Sequence, residues 1–218
     1  MKLVFVNPNS TDSMTRKVQA TAKALLPDGV IVEAVSNKKG PASIQGQADG
    51  DLAIPGMLEE IQSAIDRGAD GVVIACFDDT GLDQARALSD VPVIGIGQAA
   101  YHHSMLLGMK FSVVTTLSIS IPVLKNNIQI FGVDPYCCSV RASEVPVLAL
   151  EVEGSSAEQK ISDEIALAIK EDSCEAIVLG CAGMTDLAKR LSKVHNIPVI
   201  DGVAAATALV YGLALLRP

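Results

Sequence analysis

The 218-residue chain has no tryptophan, three tyrosines and four phenylalanines, so aromatics make up only 3% of it. With no aromatic platform for bases and no cluster of Lys or Arg to offset a net charge of −8, nucleic acid is excluded as a partner. No apolar run approaches the roughly 18 residues of a spanning helix. The first residues run directly into a strand pattern rather than a basic, then apolar leader, so a cytoplasmic protein without membrane partners is expected. Cysteines are five, an odd number, and none forms a Cys-x-x-Cys pair. Three histidines, two of them the adjacent His102 and His103, complete no ligand set with them, so neither a disulfide framework nor a metal site is expected. Glycine-rich turns of the Gly-x-Gly-x-x-Gly or Gly-x-x-x-x-Gly-Lys-Ser/Thr type are also missing, which removes the usual phosphate cradles.

Apolar residues are what the chain has in quantity. They account for 49% of it, with a mean hydropathy of +0.36, enough for a well-filled interior. Short runs at 3–6, 30–35, 72–75, 93–96, 111–115, 177–180 and 199–200 alternate with helical patterns at 11–26, 51–67, 82–89, 98–107, 118–130, 156–171, 183–193 and 203–216. Continuously apolar strands alternating with helices predict parallel sheets buried on both faces, an α/β fold. Two stretches lack periodicity: 36–50, long enough to suggest a binding loop, and 132–144, around Cys137 and Cys138.

The strand–turn–helix unit is duplicated. Asp70-Gly71-Val72-Val73-Ile74-Ala75-Cys76 matches Glu175-Ala176-Ile177-Val178-Leu179-Gly180-Cys181 at an offset of 105, and Val91-Pro92-Val93-Ile94-Gly95 matches Ile197-Pro198-Val199-Ile200-Asp201 at 106. Each copy places a thiol at a strand end, before a helix start whose N–H groups are expected to lower its pKa. Ligands of open parallel sheets bind at such carboxyl ends, where Asn9, Ser10, Thr115 and Thr116 also fall. One thiol from each half, facing a shared cleft, would remove a proton from one face of a carbon and return one to the other. That is a two-base racemisation with Cys76 and Cys181 as its catalytic pair.

Several segments then resemble one family: Val6-Asn7-Pro8-Asn9-Ser10-Thr11, Pro41-Ala42-Ser43-Ile44-Gln45-Gly46, Ile74-Ala75-Cys76-Phe77-Asp78-Asp79-Thr80-Gly81-Leu82-Asp83, Phe111-Ser112-Val113-Val114-Thr115-Thr116-Leu117-Ser118, Val178-Leu179-Gly180-Cys181-Ala182-Gly183-Met184, and Pro198-Val199-Ile200-Asp201-Gly202-Val203. The whole chain resembles the aspartate/glutamate/hydantoin racemase superfamily, and within it the hydantoin racemase branch, to which allantoin racemases are close. The resemblance implies two similar lobes related by a pseudo-twofold axis with the site between them, no cofactor, and a homo-oligomer. It also implies that the last helix packs on the first lobe, which places 1–97 with 203–218 in one lobe and 98–202 in the other. Hydantoin racemases usually continue past the position of Arg217-Pro218.

The loops point to the substrate. Amino-dicarboxylate racemases carry Asn-Thr and Thr-His after their cysteines, where this chain has Phe77-Asp78 and Ala182-Gly183. Asp78, Asp79 and Asp83 crowd the first loop with no cation beside either thiol, a poor setting for a dianion. A neutral cyclic ureide fits better, a 5-monosubstituted hydantoin ahead of allantoin. Ser43, Ile44, Phe77, Ala182, Gly183 and Met184 are the expected walls, with Asn9, Ser10, Thr115 and Thr116 bonding the ring; core packing and helix capping are the competing roles. Ser10 and Ser118 are placed to cap the helices that follow them. Two other readings stay open: a decarboxylase or isomerase using one cysteine, and a duplicated binding protein whose thiols are incidental.

Overall fold

The computed structural model describes residues 1–217. Apolar runs flanked by turn residues become eight strands in two sheets. β1 (Lys2–Asn7), β2 (Ile31–Ser36), β3 (Gly71–Ile74) and β4 (Val93–Gly95) form one, in the order β2-β1-β3-β4. β5 (Phe111–Thr115), β6 (Cys137–Ala142), β7 (Ala176–Gly180) and β8 (Val199–Asp201) form the other, in the order β6-β5-β7-β8. All pairings are parallel, and the two orders are identical once each half is numbered from its own first strand.

The helices are α1 (Asp12–Leu25), α2 (Gln47–Asp66), α3 (Leu82–Ala87), α4 (Ile96–Leu106), α5 (Ile121–Ile130), α6 (Ala157–Glu171), α7 (Ala188–His195) and α8 (Gly202–Leu215). Side chains alternate across each buried strand, so each sheet feeds two cores. Leu3 and Phe5 of β1, with Phe111 and Val113 of β5, face a central core shared by the two sheets, and α4 and α8 lie in it. Val4 and Val6 face an outer core built on α2 and α3, and Val114 faces its counterpart built on α6 and α7.

α4 and α8 stitch the halves together. α4 leaves the first sheet, yet its Tyr101 stacks on Phe111 of β5, with centroids 5.7 Å apart and planes at 13°. α8 leaves the second sheet, yet its Val210 lies over Gly71 of β3 so closely that a Cβ there would sit 2.7 Å from Val210 Cγ2.

Four sequence expectations change. The 132–144 stretch holds β6, an edge strand whose half-buried Cys137-Cys138-Ser139-Val140-Arg141-Ala142 shows no strong apolar pattern. α2 begins at Gln47 rather than at 51, inside the stretch read as loop, and carries Pro55 in its interior. The helix expected at 183–193 is a 3-10 turn, Ala182–Met184, followed by α7. Neither Ser10 nor Ser118 caps a helix: Thr11 occupies the N-cap of α1, Leu117 that of the 3-10 turn Ser118–Ser120, and neither makes a side-chain cap bond.

Candidate active site

Both cysteines follow strands that flank the first strand of their sheet, and both sulfurs reach one cavity. Cys76 follows Ala75 at the end of β3 and Cys181 follows Gly180 at the end of β7, and these four residues share the lining of a space of about 30 Å³.

Cys181 Sγ accepts a hydrogen bond from the Gly183 N–H at 3.4 Å, and the backbone N–H of Asp78 acts on Cys76 in the same sense, favouring its thiolate. Thr80 Oγ1 lies 3.7 Å from Cys76 Sγ. These donors favour the thiolate, as expected of groups at the start of a helical turn. Burial nevertheless outweighs them: it raises Cys76 well above the ordinary thiol value and pushes Cys181 up to about 12, and the charge of Asp78 adds to both. The expected lowering is therefore reversed. The turn after Cys181 is three residues long and that after Cys76 is irregular, so neither brings the aligned dipoles of a full helix to offset desolvation.

Two carboxyls stand beside Cys76. Asp78 lines the cavity, its Oδ2 is buried without a hydrogen-bond partner, and desolvation lifts its pKa to about 7. Asp79 turns the other way, with φ at +51°, and accepts the N–H groups of Gly97 at 2.9 Å and Gln98 at 2.6 Å, capping α4. Burial raises it to about 8 despite those bonds.

The same cap recurs in the second half from the opposite partner. Asp201, at the end of β8, accepts from the Val203 and Ala204 N–H groups at the start of α8, and Thr185 Oγ1 donates to it from the loop after Cys181. Asp79 and Gly95 in one half correspond to Thr185 and Asp201 in the other at the shared offset of 106. A Cβ on Gly95 would fall within the Asp79 carboxylate. One carboxylate per half thus pins the cysteine loop to the helix leaving the neighbouring strand, and the two halves supply it from different positions.

Of the residues expected around a substrate, Asn9, Ile44, Phe77, Thr116 and Ala182 line the cavity with the two cysteines. Asn9 Oδ1 accepts from Asn7 Nδ2 and Thr11 N, while its Nδ2 meets only Met14 Sδ at 3.7 Å, leaving that amide able to donate to a ligand. Thr115, Ser10, Ser43, Gly183 and Met184 lie outside the lining. Thr115 donates its hydroxyl to the Gly180 carbonyl at 2.9 Å, Ser10 donates to the Pro41 carbonyl, and Met184 is fully buried in the outer core of the second sheet. Gly183 acts through its backbone N–H on Cys181.

Met14, Asp78, Ser120 and Val147 join the lining although they were not expected there. For Asp78 the acidic run beside a cysteine was a signal; Met14 and Val147 come from elements remote in sequence and left none. No Lys or Arg lines the cavity. Lys17, whose charge reaches Cys181, is paired with Glu151 at 2.8 Å. Among the described residues, no group of three or more His, Cys, Asp or Glu is arranged to hold a metal ion, and no helix is long and apolar enough to cross a membrane.

The comparisons with known proteins agree with this geometry. The family model for Asp/Glu/Hydantoin racemase matches residues 3–210. A hydantoin racemase of Rhizobium meliloti is 45% identical over 213 residues, covering 98% of this chain and 88% of that one, and one from Pseudomonas sp. (strain NS671) is 38% identical, covering 94% and 82%. The solved structure of an allantoin racemase from Klebsiella pneumoniae superposes with a TM-score of 0.95 at 39% identity, covering 99% of this chain and 88% of that one. Two matched parallel sheets with a cysteine from each at one cavity, and a family match over nearly the whole length, place this chain in the Asp/Glu/hydantoin racemase family.

Proposed function

We propose that this protein is a cofactor-independent racemase that inverts C5 of 5-monosubstituted hydantoins through Cys76 and Cys181. The observation that carries the reading is the shared cavity, to which each half brings one thiol. In one direction a Cys76 thiolate takes the C5 proton, leaving an enolate delocalised into the neighbouring carbonyl, and the Cys181 thiol gives its proton to the opposite face. The products are a Cys76 thiol, a Cys181 thiolate and the inverted substrate, and the next turnover runs the other way. Asn9 Nδ2 is the donor placed to hold the developing enolate oxygen.

A neutral ureide suits a cavity that contains a carboxyl and no cation, and this favours hydantoins over free amino acids. Allantoin is the second reading, favoured by the 39% identity and near-complete superposition with the Klebsiella pneumoniae allantoin racemase.

Polarimetry on enantiopure 5-monosubstituted hydantoins and on allantoin tests reaction and substrate together. Cys76→Ala and Cys181→Ala are each expected to lose net inversion by at least about 100-fold, while each retains C5 proton exchange in D₂O for one enantiomer. Near wild-type inversion by either variant refutes the two-base assignment. Loss in only one of them, or a covalent adduct on one cysteine, points to single-cysteine chemistry.

A further inference from the structure

Asp78 carries a buried carboxyl oxygen that no protein group satisfies. Its Oδ2 has no hydrogen-bond partner, it lines the same cavity as both thiols, and its charge acts on both. Asp79, next to it, shows what a structural carboxylate looks like here: both of its oxygens are taken up by backbone N–H groups. A buried polar atom left unpaired in an otherwise well-bonded loop is costly, and a ligand donor at that point would remove the cost.

We infer that Asp78 is a specificity-determining residue that accepts a hydrogen bond from the N–H next to the reacting carbon of the substrate, and so sets which way round the ring sits. The inference rests on the hydantoin reading above. In a hydantoin, C5 is flanked by N1–H on one side and the C4 carbonyl on the other, and the carbonyl oxygen gains negative charge as C5 loses its proton. A carboxylate beside that oxygen would oppose the reaction; beside N1–H it accepts a charge-assisted bond. The ring therefore enters with its N1 edge toward Asp78 and its C4 oxygen turned away from it, toward a donor such as the free amide of Asn9 in the same lining. The same carboxylate turns away substrates that bring an anionic group to this edge.

The test compares a 5-benzylhydantoin with its N1-methyl and N3-methyl derivatives, racemised by wild-type protein, Asp78→Asn and Asp78→Ala, with thermal melting of each variant to establish folding. For the parent compound both variants are expected to lose about 10- to 100-fold in kcat/KM. Methylation at N1 should cost the wild type a similar factor and Asp78→Ala little or nothing, since the bond it blocks is already gone. Methylation at N3 should leave the effect of the mutation unchanged. Wild-type kcat/KM in folded Asp78→Ala, or an N1-methyl penalty equal in both proteins, overturns the inference while leaving the racemase reading intact. A wild-type protein that racemises no hydantoin overturns the reading and the inference with it, and this is visible before any variant is measured.

Discussion

A carboxyl with a buried, unpaired oxygen should be measurable as lost stability. Asp78 ordinarily titrates near 3.8 and in the folded protein near 7. Between those values the unfolded chain has released the proton and the native protein has kept it, so the native state binds one proton more. Stability then falls as pH rises, by about 1.4 kcal/mol per pH unit. Across the roughly three units separating the two values the upper bound is about 4 kcal/mol, and water reaching a cavity-lining carboxyl on opening reduces it to about 2–4 kcal/mol.

Asp78→Asn removes the ionisation and keeps the shape. Urea unfolding of both proteins at pH 4, 5, 6, 7 and 8 supplies the assay, and the readout is how the difference between them changes with pH, because the fixed cost of an unpaired amide cancels. The variant should gain on the wild type steadily from pH 4 to 7 and level off above. For a chain of this length the gain corresponds to about 4–16 °C in melting temperature at pH 8. A difference that stays flat from pH 4 to pH 8, or that shifts in favour of the wild type as pH rises, refutes the claim that Asp78 is desolvated and unpartnered.

Related measurements follow from the same site. Because burial and the Asp78 charge raise both thiols, alkylation of Cys76 and Cys181 by iodoacetamide should be slow at pH 8 and accelerate up to and beyond pH 10; Asp78→Asn should speed the reaction of Cys76 at pH 8, and a fast, pH-independent reaction of the wild type contradicts the burial argument. Asp79→Ala should cost about 1–2 kcal/mol by removing the α4 cap, read by urea unfolding. The double variant Asp79→Thr, Gly95→Asp rebuilds the arrangement of the second half and should recover most of the loss; no recovery disproves the equivalence of the two caps.

Parallel strands buried on both faces are written as short apolar runs bounded by turn residues, so seven of the eight strands, the duplication and the two strand-end cysteines were legible in the amino-acid order. β6 was not, because an edge strand with half-buried positions carries no such run. The site was half legible. Position at a strand's carboxyl end selected Cys76, Cys181, Asn9 and Thr116, which line the cavity, and also Thr115, whose hydroxyl is spent on Gly180 of the adjacent strand. Alternation along a strand decides such cases, and the phase of a terminal residue depends on where the strand stops.

By itself, then, the sequence determined a duplicated parallel α/β fold with one thiol per copy, since those features are local patterns repeated at a fixed offset. Only the tertiary structure decided that Asp79 caps α4 in the place Asp201 holds for α8, that Asp78 Oδ2 is buried without a partner, and that burial outweighs the turn donors at both sulfurs. Desolvation and hydrogen-bond satisfaction depend on what surrounds a group from every side, and most of those neighbours are distant in the chain.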